Sequence, residues 1–367
     1  KLTTENVEII ASQLYIEMLK VGYTRVAEFH YLHHEVDGNN HTVLSAMAEG
    51  VFKAAKTSGI GLTMLPVLYR FSGFGAQQPY DGQKRFINST EQFNQLVSAC
   101  FKLSEQYSNT NVGIAPHSLR AVDKKSLTQA VNHVRSLNDK APIHIHIAEQ
   151  QKEVDDCLAH FSQRPVQWLL DNMTLDAQWC LIHATHINEQ ERKGIIATKA
   201  AVGICPTTEA NLGDGIFPTT DFLNENGTFA IGSDSHISVN PIEELRWLEY
   251  AQRLSQQQRA ILATKEQASV GANLWQKSAS GGAQCTNSNT GELGIGKQAD
   301  LLVLDEQHTR LFANSDQHIL DSLIFASQQN PVRDVMVNGR WIILAGKHKS
   351  EKGIANSFAS ILKELSA

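Results

Sequence analysis

From its start to about residue 250 the chain alternates short, nearly continuous apolar runs with amphipathic stretches. The runs cover 24–34, 59–69, 111–119, 142–149, 179–186, 200–207 and 228–235, and most are rich in Val, Ile, Leu and Ala. A strand with one wet face alternates apolar and polar residues. An unbroken run of this length is what a strand buried on both faces requires. Between the runs, 5–19, 42–56, 91–107 and 123–137 read as helices, and strand–helix alternation predicts a parallel sheet of βαβ units. An open doubly wound sheet would carry a glycine fingerprint after its first strand, and none is present. The nearest approach to a phosphate loop, GELGIGKQ at 291–298, lacks the final Ser/Thr and follows no strand. A (β/α)8 TIM-type barrel therefore remains as the expected α/β fold. The runs fall one short of the eight strands that close such a barrel, and the chain opens in a helix. The simplest repair places the first strand upstream of Lys1.

Beyond residue 256 the character changes. The stretch 256–276 reads as helical and 278–289 as a break rich in Gly, Ser and Asn. The β-type runs 299–304 and 332–343 follow, the second holding the turn dipeptide Asn338-Gly339. The expected organisation is a barrel over 1–280 and the C-terminal part of a small β-domain, with a terminal helix, over 281–367. With 38 acidic against 32 basic residues the net charge is −6, so the chain offers no general attraction to nucleic acid or anionic lipid. No run approaches the ~18 apolar residues of a membrane span. The N-terminal KLTTENVEII lacks the apolar core of a signal peptide. The 5 cysteines form no CxxC and read as free thiols, which points to a cytoplasmic protein.

Reactive groups of a parallel barrel sit at the C-terminal ends of its strands, so the last residues of each run carry the functional reading. The run PIHIHIAE at 142–149 places His144 and His146 on one face, with Glu149 at the strand end. Either imidazole suits a metal ion and the carboxylate suits a proton shuttle. The next run ends LIHATH with His183, and the last ends AIGSDSH with Asp234. A strand-mouth carboxylate is costly to bury unless paired or bound to a cation, although Asp also caps helices well. His, His and Asp at three strand ends together suggest a hydrolytic metal centre. PHSLR at 116–120 adds His117 and Arg120, whose guanidinium could clamp a substrate carboxylate or sit in a surface ion pair. The first run ends EFHYLHH, with His30, Tyr31, His33 and His34 as further mouth or loop residues. TTEANLGDG at 207–215 reads as loop-capping chemistry. No serine-hydrolase elbow, nucleobase-deaminase zinc signature or basic-aromatic nucleic-acid pattern is present.

The stretches VAEFHYLHHEVDG (26–38), HSLRAV (117–122), HIHIAEQQKEVDDC (144–157), LIHATH (181–186), TEANLGDGIFPTTDFL (208–223) and IGSDSHISVNPIEELRWLEY (231–250) resemble the amidohydrolase superfamily. Within it they are similar to the formimidoylglutamate deiminase branch. The resemblance runs the full chain, including GKQADLLVLD (296–305).

The resemblance implies a (β/α)8 barrel with a small β-sandwich and one catalytic divalent metal ion, zinc. An HxH pair on the first strand would hold that ion together with His146 and Asp234. The pair is not among these residues, so the chain as given supplies only part of the implied ligand set. By the same resemblance His144 is inner packing and Glu149 the proton shuttle. His183 would bond the water or the substrate, and Asp234 would both ligate and orient. Arg120, with Tyr31 and His117, would hold a small dicarboxylate, N-formimidoyl-L-glutamate. The implied reaction is its hydrolytic deimination in histidine degradation, and the implied assembly a homodimer. The competing readings are a deaminase of an aminoheterocycle, which would need a hydrogen-bonding edge rather than Arg120, and a metal-binding scaffold without activity.

Overall fold

The computed structural model describes residues 1–312 and 318–366. The parallel strands run β1 (Arg25–His30), β2 (Gly61–Leu68), β3 (Thr110–Val112), β4 (Ala115–Pro116), β5 (Ile143–Ile147), β6 (Trp179–His183), β7 (Ala201–Ile204) and β8 (Thr228–Ile231). Every one of the expected runs contains a strand, and the run at 111–119 is split in two. Helices alternate with them: α1 (Thr4–Val21), α2 (Ala46–Ser58), α3 (Thr90–Ser104), α4 (Lys124–Leu137), α5 (Gln151–Phe161), α6 (Pro165–Asn172), α7 (Glu189–Thr198), α8 (Pro206–Leu212), α9 (Thr219–Asn224), α10 (Pro241–Gln256) and α11 (Val270–Cys285). The architecture is thus α/β. Strands β9 (Leu301–Leu304), β10 (Val332–Val337), β11 (Arg340–Leu344) and β12 (Lys347–His348) follow, in the sheet order β12-β11-β10-β9.

The chain divides into two compact units. The first comprises Lys1–Ile145, Ala299–Leu301 and Asp334–Ala367. In it β1 pairs β2 in parallel from Arg25↔Gly61 to His30↔Pro66, and β2 pairs both β3 and β4. All of β2 is buried, which accounts for a sequence in which Thr63 is the one polar side chain. At the start of these strands the half-buried Arg25 donates to Thr63, Asn109, Asn111 and the Leu62 carbonyl, which occupies most of its five N–H groups. Helix α1 opens with a capping box between Thr3 and Asn6. It packs on α2 where Gly50 lets the backbones approach; a Cβ there would lie 2.9 Å from the Thr4 carbonyl oxygen. The expected hairpin forms: β10 and β11 pair antiparallel through Val337↔Arg340. Asn338 (φ 49°) and Gly339 (φ 74°) supply the two left-handed residues that such a turn demands.

The second unit comprises His146–Gln298 and Leu302–Arg333. Strands β6, β7 and β8 pair in parallel in perfect sequence order, with Cys180↔Ala201 and Ala201↔Thr228 in register. Here the expected helix at 256–276 is corrected. Helix α10 ends at Gln256, capped by the left-handed Gln257, and α11 restarts at Val270 after the Ser269 side chain accepts from the Ala272 amide. The presumed Gly/Ser break is instead largely helix. One of its glycines serves close packing on β8: a Cβ on Gly281 would lie 1.8 Å from the Phe229 carbonyl oxygen. All five cysteines are buried free thiols. Among the described residues, no helix is long and apolar enough to cross a membrane.

Candidate active site

In the second unit the ends of β5, β6 and β8 carry the ionisable residues. His146 sits one residue before the end of β5, half-buried between Ile145 and Ile147, both wholly buried. Strand alternation thus turns the imidazole opposite to the packed isoleucines. Ala148 then adopts φ 50°, and Glu149 follows with its amide donating to Glu153 at 3.0 Å. His183 closes β6 at φ 68°, followed by Ala184 at φ 47°. The Ala184 and His186 amides donate to the Ile147 and Ala148 carbonyls, locking the two strand ends together past the regular ladder. Asp234 follows β8 at φ 41°. Each non-glycine residue in this left-handed region costs roughly 1–2 kcal/mol. Such strain persists only where the surrounding structure enforces it, and here it falls on the strand ends that carry the ionisable residues.

One ligand atom from each of His146, His183 and Asp234 lies within 4.8 Å of the others. The imidazole rings of His146 and His183 stack at 5.7 Å between centroids. Nε2 of the buried His183 lies 3.7 Å from Oε1 of Glu149, whose side chain is 23% exposed. On its other edge, His183 Nδ1 lies 3.2 Å from Oε1 of the buried Glu209. Burial disfavours the charged imidazole, but the Glu209 hydrogen bond and the Glu149, Glu209 and Asp234 carboxylates outweigh it and hold the His183 pKa above its ordinary 6.5. Three carboxylates thus surround one imidazole ring, an excess of negative charge that a bound cation would compensate. Two imidazole nitrogens and a carboxylate oxygen are a donor set that suits zinc or a similar divalent ion. The residues present fit the metal that the sequence implies. Asp234 is not a helix cap; Asn240 caps α10.

The turn that opens α8 braces this cluster. Glu209 Oε1 accepts from the Cys205 amide at 2.9 Å as well as facing His183. The Thr208 hydroxyl lies 2.9 Å from that of Ser235 and accepts from the Ser235 amide, tying down the loop that carries Asp234. Thr207 donates through its amide and its hydroxyl to Glu244 of α10, at 2.9 and 2.6 Å. Burial pushes the Glu244 carboxyl up to about 8, against the lowering effect of the Thr207 hydrogen bonds. The sequence reading of 207–209 as loop-capping chemistry is corrected: these residues form a helical turn whose side chains reach β6, the β8 loop and α10. The signal available in the sequence was Pro206 at a helix start directly after a strand end, followed by three adjacent polar residues.

In the first unit the predicted Tyr31 and His117 come together. Their rings lie 5.9 Å apart, and Tyr69 stacks edge-on against His117 at 4.6 Å. His117 Nδ1 meets the buried Ser118 hydroxyl at 2.8 Å, which fixes the orientation of the ring. Arg120 is exposed, and of its alternatives the surface ion pair is not found among the described residues. Tyr69 was not singled out by sequence, since an aromatic at the end of a buried strand reads as core. The histidines after β1 act structurally: His33 Nε2 bonds the Val67 carbonyl at 3.0 Å and His34 Nε2 that of Ile87 at 2.8 Å. His144 is buried and stands edge-on to Phe29 at 5.7 Å.

Parallel strands whose mouths carry a His–His–Asp donor group beside a carboxylate define a metal-dependent hydrolase, and the chain belongs to the Amidohydrolase family, whose pattern matches residues 3–342. Among its relatives is the formimidoylglutamate deiminase of Pseudomonas aeruginosa, 46% identical over 365 residues, covering 100% of this chain and 80% of that protein. An amidohydrolase from Brucella melitensis superposes with a TM-score of 0.94 at 43% identity, over 100% of this chain and 80% of that one. An adenosine deaminase from Xanthomonas campestris, solved with bound zinc, shares the fold with a TM-score of 0.80 at 20% identity, over 100% and 76% of the two chains.

Proposed function

We propose that this protein hydrolyses N-formimidoyl-L-glutamate to N-formyl-L-glutamate and ammonia, a step of histidine degradation, with one divalent metal ion, zinc. The observation that carries this reading is the convergence of His146, His183 and Asp234 donors beside Glu149, in a chain 46% identical to a formimidoylglutamate deiminase. The reading includes a (β/α)8 barrel over 1–280 with a small β-domain over 281–367. The strand–helix alternation and the parallel bridge Ile114↔Ile143 support it.

His146 and Asp234 would hold the ion, with His183 close enough to share in doing so. When bound, a divalent ion there supplies Lewis acidity and makes water acidic enough to react near neutral pH. Glu149, partly exposed at the strand end, takes a proton from the attacking water. It returns one to the departing nitrogen, so that the C–N bond of the formimidoyl carbon breaks and ammonia leaves. His183 donates or accepts at Nε2 next to Glu149, orienting the water or the formimidoyl group. Arg120, whose guanidinium has no ion-pair partner among the described residues, clamps a substrate carboxylate, aided by Tyr31 and His117.

The test is ammonia release by the zinc-loaded protein from N-formimidoyl-L-glutamate, with cytosine, guanine and adenosine as comparison substrates. Saturable release from the formimidoyl compound alone is the expected result. Release only from a heterocycle would replace this reading with heterocycle deamination.

A further inference from the structure

Glu209 lies outside the residues assigned above to metal, proton transfer or substrate, yet it is nearly as buried as His183 and faces its ring directly. A buried carboxylate is costly unless its oxygens are satisfied. Glu209 Oε1 is satisfied by two partners, the Cys205 amide at 2.9 Å and His183 Nδ1 at 3.2 Å. The amide can only donate, so Oε1 is fixed as an acceptor. It must then draw a proton onto His183 Nδ1, which leaves Nε2, the nitrogen 3.7 Å from Glu149, as the nitrogen that can present a lone pair in the neutral ring. The Cys205 amide anchors the carboxylate to the end of β7, and helix α8 carries its backbone, so its position does not depend on His183. The neighbouring Thr208 fixes the Asp234 loop from the same turn.

We infer that Glu209 is a positioning residue: its carboxylate sets the tautomer and ring orientation of His183, and through that ring alone it supports turnover and metal retention. This rests on the role proposed above for His183. Partners of this kind behind an active-site imidazole are typically worth about 10–100-fold in activity or metal affinity.

The experiment is a double-mutant cycle in the zinc-loaded full-length protein, reading kcat, KM, bound zinc under a competing chelator and thermal stability. Glu209→Gln keeps the reach and an acceptor oxygen but loses the charge. It is expected to lower kcat about 10–100-fold with little change in KM, and to release zinc to the chelator more readily. In a His183→Gln background the same substitution should change kcat by less than about twofold, because the residue through which it acts is gone. Glu209→Asp, run through the same cycle, replaces Glu209→Gln if the latter does not fold. The inference is overturned if Glu209→Gln turns over like the parent, or if its loss is as large in the His183→Gln background, which is what a purely structural role would give. A His183→Gln protein as active as the parent would instead overturn the role assigned to His183.

Discussion

The strand ends of the two units differ in charge and in backbone strain. In the second unit Glu149, Glu209 and Asp234 gather around the imidazoles, and Ala148, His183, Ala184 and Asp234 are all left-handed. In the first unit the few residues directly after β1, β2 and β4 show no such strain among the described residues. Two of its imidazoles are held towards the neutral form: burial pushes His30 down to about 4, and burial with neighbouring rings holds His33 well below its ordinary value. Aromatic rings pack around His117, and the exposed Arg120 follows three positions later. A cluster with surplus negative charge calls for a cation and can move protons. A ring-lined cluster with an arginine three positions after its histidine suits an anion. On the function proposed above, chemistry and recognition fall in different stretches of the sequence, and left-handed residues mark the strand ends of the former.

Substitutions on each side should separate kinetically. The largest effect is expected for Glu149→Gln. Turnover should fall by roughly 10²–10⁴-fold, while zinc measured by elemental analysis stays with the protein. Loss confined to KM would contradict a proton-transfer role. Arg120→Met should raise KM about 10–100-fold, the loss of a charge-assisted bond worth roughly 1.5–3 kcal/mol, with kcat changed less. A kcat loss matching that of Glu149→Gln would erase the distinction between the two regions.

The alternation of buried strands and helices was legible because each strand must be apolar on both faces, and His146, Glu149, His183 and Asp234 stood out as polar residues where such strands end. Glu209 did not stand out, because its partner is 26 positions away and no periodicity links them. The left-handed conformations of His183 and Asp234 were equally invisible, since sequence signals this region through glycine, and these residues are held there by their surroundings. The break expected at 278–289 was misplaced because Gly281 marks a close approach to β8 within α11 rather than a helix end.

A smaller effect bears on the brace rather than on the chemistry. Glu244 has its pKa raised by burial from 4.5 to about 8 in the folded protein. Between those values the folded chain holds a proton that the unfolded chain has released. Its contribution to stability is therefore fully present below the unfolded value and is lost as pH rises through about 8. Glu244→Gln, uncharged throughout, should show a flatter profile. Its melting temperature should gain on the parent by on the order of a few degrees between pH 5 and pH 9. Parallel melting curves across that range would show that Glu244 does not carry this proton.

Zinc bound per chain, measured in the full-length protein and in its His146→Ala and Asp234→Ala variants, tests the metal centre most directly. The account predicts about one ion per parent chain and its loss to a competing chelator from both variants, with ammonia release falling in step. A parent that turns over formimidoylglutamate without a metal, or variants that hold zinc as firmly as the parent, would contradict it.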